Sequence, residues 1–356
     1  MTEFQDAAEA TAPDVPVIEA RDLRIWYGTE RGPVKAVDGV SFALRRGEIL
    51  GLVGESGCGK STLGRGLLGL LPEGAKMDGE LRFRGTDLLS LPRKQMFAMR
   101  GVDLGMIFQE PLTRLNPLMR ISEHFEETLR THERGIGRAE VRRRSLEVLR
   151  VMGIPPTRYR SYPHEFSGGM RQRLMIALAL VLRPAFVVAD EPTTALDVLV
   201  EAQIIRILHD LRRDFDTSLL LITHNLGIIA EACDRVAVMY AGEVVEIGDA
   251  RDVFADPQHP YTRELLRSTI SLSTTGLNYI PGAPPDLVDP PSGCHFHPRC
   301  PDAMHVCGVR HPQQRRTPSG GLVQCWAADL RNGAVELTDS ERSPLEREEL
   351  SVADEA

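Results

Sequence analysis

The sequence lacks any hydrophobic run long enough to cross a membrane. Its main uncharged apolar run, residues 174–182, has nine residues, whereas a membrane-spanning helix needs about 20. We therefore expect a core helix there. Residues 1–16 are acidic, rich in alanine and proline, and without the basic and apolar segments of a signal peptide. These absences predict a cytoplasmic chain that contacts a membrane only through a partner.

The sequence also lacks an excess of positive charge. Its 42 lysine and arginine residues are outnumbered by 50 aspartate and glutamate residues, which gives a formal net charge of −8. Nucleic-acid-binding proteins usually carry a basic patch, so this balance predicts no nucleic-acid partner. The charged helical pattern of residues 121–153 is better interpreted as a solvated helix face with an apolar stripe. The length of 356 residues predicts about two domains.

What the sequence does contain is the stretch GESGCGKS at residues 54–61, which matches the G-x-x-x-x-G-K-[ST] pattern of a phosphate-binding loop. An apolar strand pattern precedes it and leucines at helical spacing follow it. Glycines let backbone N–H groups face a polyphosphate, Lys60 adds a mobile positive charge, and the Ser61 hydroxyl can ligate Mg²⁺. This context disfavours a glycine-rich turn without a ligand. The predicted nucleotide-binding residues here are Gly54, Glu55, Ser56, Gly57, Cys58, Gly59, Lys60, Ser61 and Thr62.

Polar side chains follow three further predicted strands, at the edge where strand C-termini meet in an α/β sheet. Asp190 suits the Mg²⁺ shell, and the adjacent Glu191 can polarise the water that attacks a γ-phosphate. Gln109 can reach Mg²⁺ or that water with its amide oxygen, although a loop-capping role is the simpler interpretation. His224 also lies at this edge, although a lone histidine after a strand is usually structural. The strand patterns cover residues 186–189, 106–108 and 219–223.

A serine and two glycines begin the apolar helix predicted over residues 174–182. Ser167, Gly168 and Gly169 would place free backbone N–H groups and a helix dipole at one point, which makes a second anion site. Two such sites in one chain are unusual for a monomer. They are explained if each site serves the facing chain of a dimer.

In this order, the motifs resemble those of the nucleotide-binding subunit of an ABC transporter over about residues 17–256. The resemblance implies an α/β P-loop ATPase cassette, with a mixed sheet and a helical signature subdomain, which binds ATP and Mg²⁺ and closes head to tail on a second cassette. It adds Tyr27, at the end of a predicted edge strand, as the residue that stacks on the base, and Asp197 in the D-loop. The implied catalytic residues are Glu191, His224, Gln109 and Lys60, and the implied Mg²⁺ ligands are Ser61, Gln109 and Asp190.

A narrower resemblance is to the ATPases of oligopeptide and dipeptide importers. It is carried by residues 109–111, 115–117, 162–166, 259–262 and 280–282. It implies a complex with two permease subunits, an extracytoplasmic binding protein and a second ATPase that is often a different chain, at the cytoplasmic face of the membrane. Two alternatives stay open. The same cassette could energise uptake of nickel or another small solute, or a soluble ABC ATPase could act on DNA or the ribosome. The single cassette without long coiled coils disfavours the soluble alternative.

Four of the six cysteines, Cys294, Cys300, Cys307 and Cys325, lie in the last quarter of the chain. In a reducing cytosol this clustering favours metal or cluster ligation over disulfides. They contain no C-x₂₋₄-C pair of the kind that zinc sites use, and their spacing resembles the C-terminal region of some peptide-importer ATPases, which binds a [4Fe–4S] cluster. Zinc and unligated thiols are the alternatives. The histidines near enough to be ligands are His295, His297, His305 and His311.

These patterns together predict four segments. Residues 1–16 form a disordered N-terminus, residues 17–260 the cassette, and residues 261–330 a small loop-rich region, interrupted by several prolines, that holds the four-cysteine site. Residues 331–356 are polar and acidic, which predicts a disordered tail.

Overall fold

The computed structural model describes residues 15–108, 115–193, 198–268 and 279–345. The strands are β1 (Ile18–Thr29), β2 (Gly32–Leu44), β3 (Ile49–Val53), β4 (Ala75–Phe83), β5 (Thr86–Asp87), β6 (Leu104–Ile107), β7 (Phe186–Asp190), β8 (Ser218–Ile222), β9 (Arg235–Tyr240), β10 (Glu243–Asp249), β11 (Arg315–Arg316) and β12 (Leu322–Val323). The helices are α1 (Lys60–Leu67), α2 (Arg93–Met99), α3 (Ile121–His132), α4 (Arg138–Val151), α5 (Gly168–Leu180), α6 (Val198–Phe215), α7 (Leu226–Ala232), α8 (Ala250–Ala255), α9 (Pro260–Arg267), α10 (His305–Val309), α11 (Trp326–Arg331) and α12 (Asp339–Arg342).

The strands form two sheets. The larger sheet is mixed, with the order β11-β12-β10-β9-β3-β8-β7-β6. Strands β9, β3, β8, β7 and β6 are parallel, and β10, β11 and β12 pair antiparallel at one side. The smaller sheet is antiparallel, with the order β2-β1-β4-β5. The predicted α/β cassette with a mixed sheet is confirmed.

The parallel strands are buried on both faces, which explains their continuous apolar sequences. Successive side chains of a strand point to opposite faces. In β3, Leu50 and Leu52 pack toward α1 and the smaller sheet, whereas Ile49 and Val53 pack toward the helical layer. Gly51 has no side chain because a Cβ there would lie 2.6 Å from Ile229 Cδ1.

The helical layer contains α3, α4 and α5. The predicted helix over residues 121–153 is divided into two helices, because the chain turns at Gly135, where φ is +96°. The solvated arginine face is confirmed: Arg143 lies 2.7 Å from Glu140, while Val141 and Leu149 on the same helix are buried. Arg144 also pairs with Glu140, so carboxylates of the same helix neutralise part of this face.

The smaller sheet corrects one prediction. Strand β1 was expected at an edge, but it lies between β2 and β4 and pairs with both along most of its length. Alternation of polar and apolar residues indicates that one face is buried, and it carries no information on whether both backbone edges are paired.

The C-terminal region is integrated into the cassette. Strand β12 pairs with β10, which extends the larger sheet. Phe296 is fully buried against Tyr240 and Tyr261, with ring centroids 5.1 and 5.3 Å away. The predicted boundary at residue 260 therefore separates segments that share a sheet and a core.

The structure also differs from the prediction of disorder beyond residue 331. Leu337 is buried with Val306 and Trp326, and Thr338 caps α12, so residues 331–345 pack on the C-terminal region. None of the helices within the four described ranges combines the length and apolar character that crossing a membrane requires.

Candidate nucleotide site and four-cysteine site

The loop between β3 and α1 is folded around its own lysine. Lys60 Nζ donates to the carbonyl oxygens of Gly54 at 2.7 Å and Glu55 at 2.9 Å. Gly59 has a φ of +107°, and a Cβ at this position would lie 1.9 Å from the carbonyl oxygen of Ala36. Only glycine fits such a backbone conformation and such a close approach. The loop therefore has the backbone geometry that the phosphate-binding pattern predicts.

Two predicted Mg²⁺ ligands meet at the C-terminal edge of the larger sheet. Ser61 Oγ donates to Asp190 Oδ1 at 2.9 Å. Ser61 follows β3 and Asp190 ends β7, and β8 lies between these two strands in the sheet. Asp190 is buried, and burial raises the pKa of its carboxyl group while the Ser61 hydroxyl opposes that rise. Hydroxyl and carboxylate oxygens are ligands that Mg²⁺ prefers, so this pair can hold the cation beside the loop.

Glu191 and His224 lie together at the same edge. Glu191 has a φ of +48°, and its backbone N–H donates to the carbonyl oxygen of Ile222 at 2.9 Å. His224 Nδ1 is 3.3 Å from Glu191 Oε1. A non-glycine residue at positive φ is uncommon and often marks a functional site. The Glu191 carboxylate is thus oriented by the His224 imidazole at the sheet edge that also carries the Ser61–Asp190 pair.

Tyr27 extends from β1 to the start of α1. Its hydroxyl donates to Thr62 Oγ1 at 3.4 Å, and the ring is partly exposed. An aromatic face at this position can stack on a nucleotide base whose phosphates occupy the adjacent loop.

The second predicted anion site is open to solvent. Ser167 is the N-cap of α5, and its Oγ accepts from the Met170 N–H at 3.4 Å. Ser167 and Gly168 are exposed, and a Cβ on Gly168 would meet no atom within 4 Å. The helix N-terminus is thus accessible to a ligand carried by another chain. Gln109 and Asp197, the remaining predicted nucleotide-site residues, lie outside the described residues.

The structure brings the four C-terminal cysteines into one cluster. None of the four forms a disulfide, and the Cys294 thiol is close enough to Cys300, Cys307 and Cys325 to interact electrostatically with each. Burial raises the pKa of the Cys300 and Cys325 thiols to about 12. Backbone N–H groups near all four sulfur atoms oppose the rise in thiol pKa; they belong to Phe296 for Cys294, to Asp302 for Cys300, to Met304 for Cys307, and to Ala327 and Ala328 for Cys325.

Two of the neighbouring histidines are engaged elsewhere. His311 Nε2 lies 2.8 Å and His295 Nδ1 lies 3.6 Å from Glu243 Oε1. His297 Nδ1 is 2.9 Å from the carbonyl oxygen of Cys294. The four thiols therefore remain the candidate donors of this site.

Comparison with known proteins identifies the family. The model of the ABC transporter family matches residues 37–194, and that of the oligopeptide/dipeptide transporter C-terminal region matches residues 245–307. The chain is 46% identical over 330 residues to the oligopeptide transport ATP-binding protein OppD of Salmonella typhimurium, covering 92% of this chain and 98% of the relative. The chain belongs to the ATP-binding subunits of the oligopeptide/dipeptide ABC transporter family. It is therefore an ABC-type ATPase.

Further relatives agree with this membership. The dipeptide transport ATP-binding protein DppD of Bacillus subtilis is 46% identical over 321 residues, covering 88% of this chain and 96% of the relative. A dimeric structure of a bacterial ABC transporter cassette is 28% identical, with a TM-score of 0.60, and covers 66% of this chain and 99% of that cassette. A post-hydrolysis dimer bound to ADP and Pi is 27% identical, with a TM-score of 0.59.

Sequence reasoning missed two residues of this ATPase that contact the phosphate-binding loop. Arg299 pairs with the side chain of Glu55, and the Tyr261 hydroxyl accepts from the Glu55 backbone N–H at 2.9 Å. Tyr261 belongs to the importer-like stretch 259–262, and Arg299 precedes Cys300, so both were within recognised motifs. Their separation from Glu55, by 206 and 244 residues, concealed the contact.

Proposed function

We propose that this ATPase subunit energises the uptake of oligopeptides or dipeptides through a membrane permease. The observation that carries the proposal is the extent of the similarity, which continues beyond the cassette into the C-terminal region. A match confined to residues 37–194 would support only an ABC ATPase of unspecified cargo. The subunit would work at the cytoplasmic face of the membrane, bound to two permease subunits. An extracytoplasmic binding protein would deliver the peptide to these permease subunits.

In this proposal the working nucleotide site forms between two cassettes. Lys60, Ser61 and Asp190 of this chain hold ATP and Mg²⁺ against the signature helix of the facing cassette. The exposed Ser167 and Gly168 of this chain bind the γ-phosphate of the nucleotide that the facing cassette holds. Glu191 then accepts a proton from the attacking water, and His224 orients that carboxylate. Solvent exposure of the α5 N-terminus supports the arrangement, since an anion site has little use within a single chain. Peptide importers commonly pair two unlike ATPases, so the facing cassette is proposed to be a different chain.

A groove beside the edge strand β6 of the larger sheet supports the proposal that the subunit contacts a permease. It has a volume of about 200 Å³ and lies between β6 and the helical layer, where Phe108, Leu178 and Leu182 line it. Leu118, in the segment that leads to α3, is 85% exposed. The groove and the exposed Leu118 side chain are both available for contact with a partner protein. Closure of the cassettes would move this groove and, with it, the permease.

Reconstitution tests the cargo. When the subunit is assembled with its permease, partner ATPase and binding protein in vesicles, we expect ATP hydrolysis to rise on addition of short peptides, with labelled peptide accumulating in an ATP-dependent manner. Vesicles supplied with nickel ions are the matched control, because they test the small-solute alternative. Stimulation by nickel together with no response to di- to pentapeptides would overturn the peptide assignment and leave the ATPase standing.

We further propose that Cys294, Cys300, Cys307 and Cys325 hold a [4Fe–4S] cluster. The donor set fits, because the four cysteines lie near one another, none of them forms a disulfide, and backbone N–H groups approach all four sulfur atoms. The four cysteines contain no C-x₂₋₄-C pair of the kind that zinc sites use, which favours a cluster over zinc. Bound there, the cluster would cross-link four segments of the C-terminal region.

Replacement of Cys294 by serine tests this site. After anaerobic purification, the unmodified chain is expected to contain about four iron and four acid-labile sulfide per chain, with visible absorption. Cys294→Ser is expected to lose the absorption and most of the iron while ATP binding persists in weakened form. Cys233→Ser is the control, since that thiol is half-buried and lies outside the cluster. One zinc per chain without sulfide would replace the cluster by a zinc site.

A further inference from the structure

The second residue of the phosphate-binding loop is held by the C-terminal region. Arg299 Nη1 donates to Glu55 Oε2 at 2.7 Å and Nη2 donates to Glu55 Oε1 at 3.0 Å, which makes a bidentate pair. From the other side, the Glu55 backbone N–H donates to the Tyr261 hydroxyl at 2.9 Å. Both the side chain and the backbone of Glu55 are therefore fixed by residues that follow the cassette's last parallel strand.

Arg299 is itself rigidly placed. Its Nε donates to the carbonyl oxygen of Pro281 at 2.9 Å, Nη2 also donates to Ile280 O at 3.2 Å, and Nη1 also donates to the Tyr240 hydroxyl at 3.2 Å. With the two bonds to Glu55, five donor bonds match the five N–H groups of a guanidinium. The residue is only 8% exposed. A buried arginine with every donor used has one geometry available, so it acts as a fixed support.

The contact affects the loop in two ways. The Glu55 carbonyl oxygen accepts from Lys60 Nζ, so the position of Glu55 also sets the position of the catalytic lysine. The Glu55 carboxylate would repel the phosphates of ATP, and the guanidinium neutralises it in a partly buried setting where charges interact strongly. Loss of Arg299 would leave an unpaired carboxylate within the loop that binds a polyanion.

We propose that Arg299 positions and neutralises the phosphate-binding loop, so that the affinity of this ATPase for ATP depends on its C-terminal region. Arg299 is a positioning residue, because it acts through Glu55. It directly precedes Cys300, and Phe296 packs on Tyr240 and Tyr261, so the cysteine site and the loop share one rigid unit. Any effect of the cysteine site on ATP affinity rests on the proposed cluster. The contact between Arg299 and Glu55 is independent of that cluster.

The test measures ATP affinity of the full chain and, in the assembled complex, KM and kcat separately. Arg299→Gln is expected to weaken ATP binding about 5- to 150-fold, the usual range for coupling between two sites, and to raise KM more than it lowers kcat. Arg310→Gln is the matched control, since Arg310 lies in the same region and pairs with Glu341 at the surface. Wild-type ATP affinity in folded Arg299→Gln would overturn the proposal.

A double variant separates neutralisation from simple loss of structure. Glu55→Gln combined with Arg299→Gln removes the unpaired carboxylate, so it is expected to recover part of the lost affinity. A purely structural role predicts further loss in the double variant, which would contradict the proposal. If Arg299→Gln does not fold, Arg299→Lys and Tyr261→Phe give the same test with smaller changes, and wild-type affinity in both would count against it. Iron content and peptide transport, measured in parallel, report independently on the proposed function.

Discussion

Replacement of Glu191 by glutamine is expected to abolish ATP turnover in the assembled complex while ATP accumulates in the closed dimer. Glutamine keeps the size of the side chain but cannot accept a proton from the attacking water, and loss of such a base typically costs about 10²- to 10⁴-fold in rate. The backbone N–H bond to Ile222 and the contact with His224 can both persist. Phosphate release and retention of labelled ATP after gel filtration measure the two halves of the prediction.

The control for this variant is Glu126→Gln on α3, where the glutamate pairs with Arg130 at the surface. Turnover at Glu191 must be separated from turnover by the facing cassette of an unlike pair, so the corresponding change is made there in a parallel sample. Hydrolysis that stays unchanged in both samples would remove Glu191 from the catalytic role.

Replacement of Gly59 by alanine is expected to eliminate ATP binding. The new Cβ would lie 1.9 Å from the Ala36 carbonyl oxygen and 2.8 Å from Met239 Cε. Backbone cannot move aside as a flexible side chain can, so the loop must shift, and a misplacement of about 1 Å costs roughly 10²-fold. Gly135→Ala is the matched control, with a φ of +96° and no atom within 4 Å of its Cβ.

Thermal unfolding with and without ATP measures this prediction. A ligand at 100 times its Kd stabilises the folded state by about 2.7 kcal/mol, so the unmodified chain and Gly135→Ala should both melt at higher temperature with ATP present. Gly59→Ala should melt at the same temperature in both conditions. An ATP-dependent shift equal to that of the unmodified chain would show that the loop tolerates the side chain.

The nucleotide site was the part of the molecule most accessible to sequence reasoning. The loop at residues 54–61 combines glycine spacing, a lysine and flanking elements that constrain one another locally, so its backbone is determined by neighbouring residues. Asp190, Glu191 and His224 were placed correctly at one edge, because the C-terminal ends of buried parallel strands meet there.

Contacts between distant segments were not accessible in this way. Alternation along β1 indicates a buried face, yet pairing with both β2 and β4 depends on segments elsewhere in the chain. The approach of Arg299 to Glu55 likewise requires residues 281–299 to fold back along the loop. Leu337 lies in a segment that is mostly polar, so composition alone could not indicate that it would be buried against Trp326.

The pairing of β12 with β10 also affects whether the larger sheet can pair with a strand from another molecule. Without β11 and β12, strand β10 would be the exposed border of a six-stranded sheet, with free N–H and C=O groups able to recruit a strand from another molecule. The short hairpin of β11 and β12 covers this border, and the Gln324 N–H adds a bond to the Val245 carbonyl oxygen at 2.8 Å. The two strands of this hairpin have two residues each, so they offer few backbone N–H and C=O groups for pairing with a further strand. The C-terminal region, which contacts the phosphate-binding loop through Arg299, thus also forms the end of the larger sheet through β11 and β12.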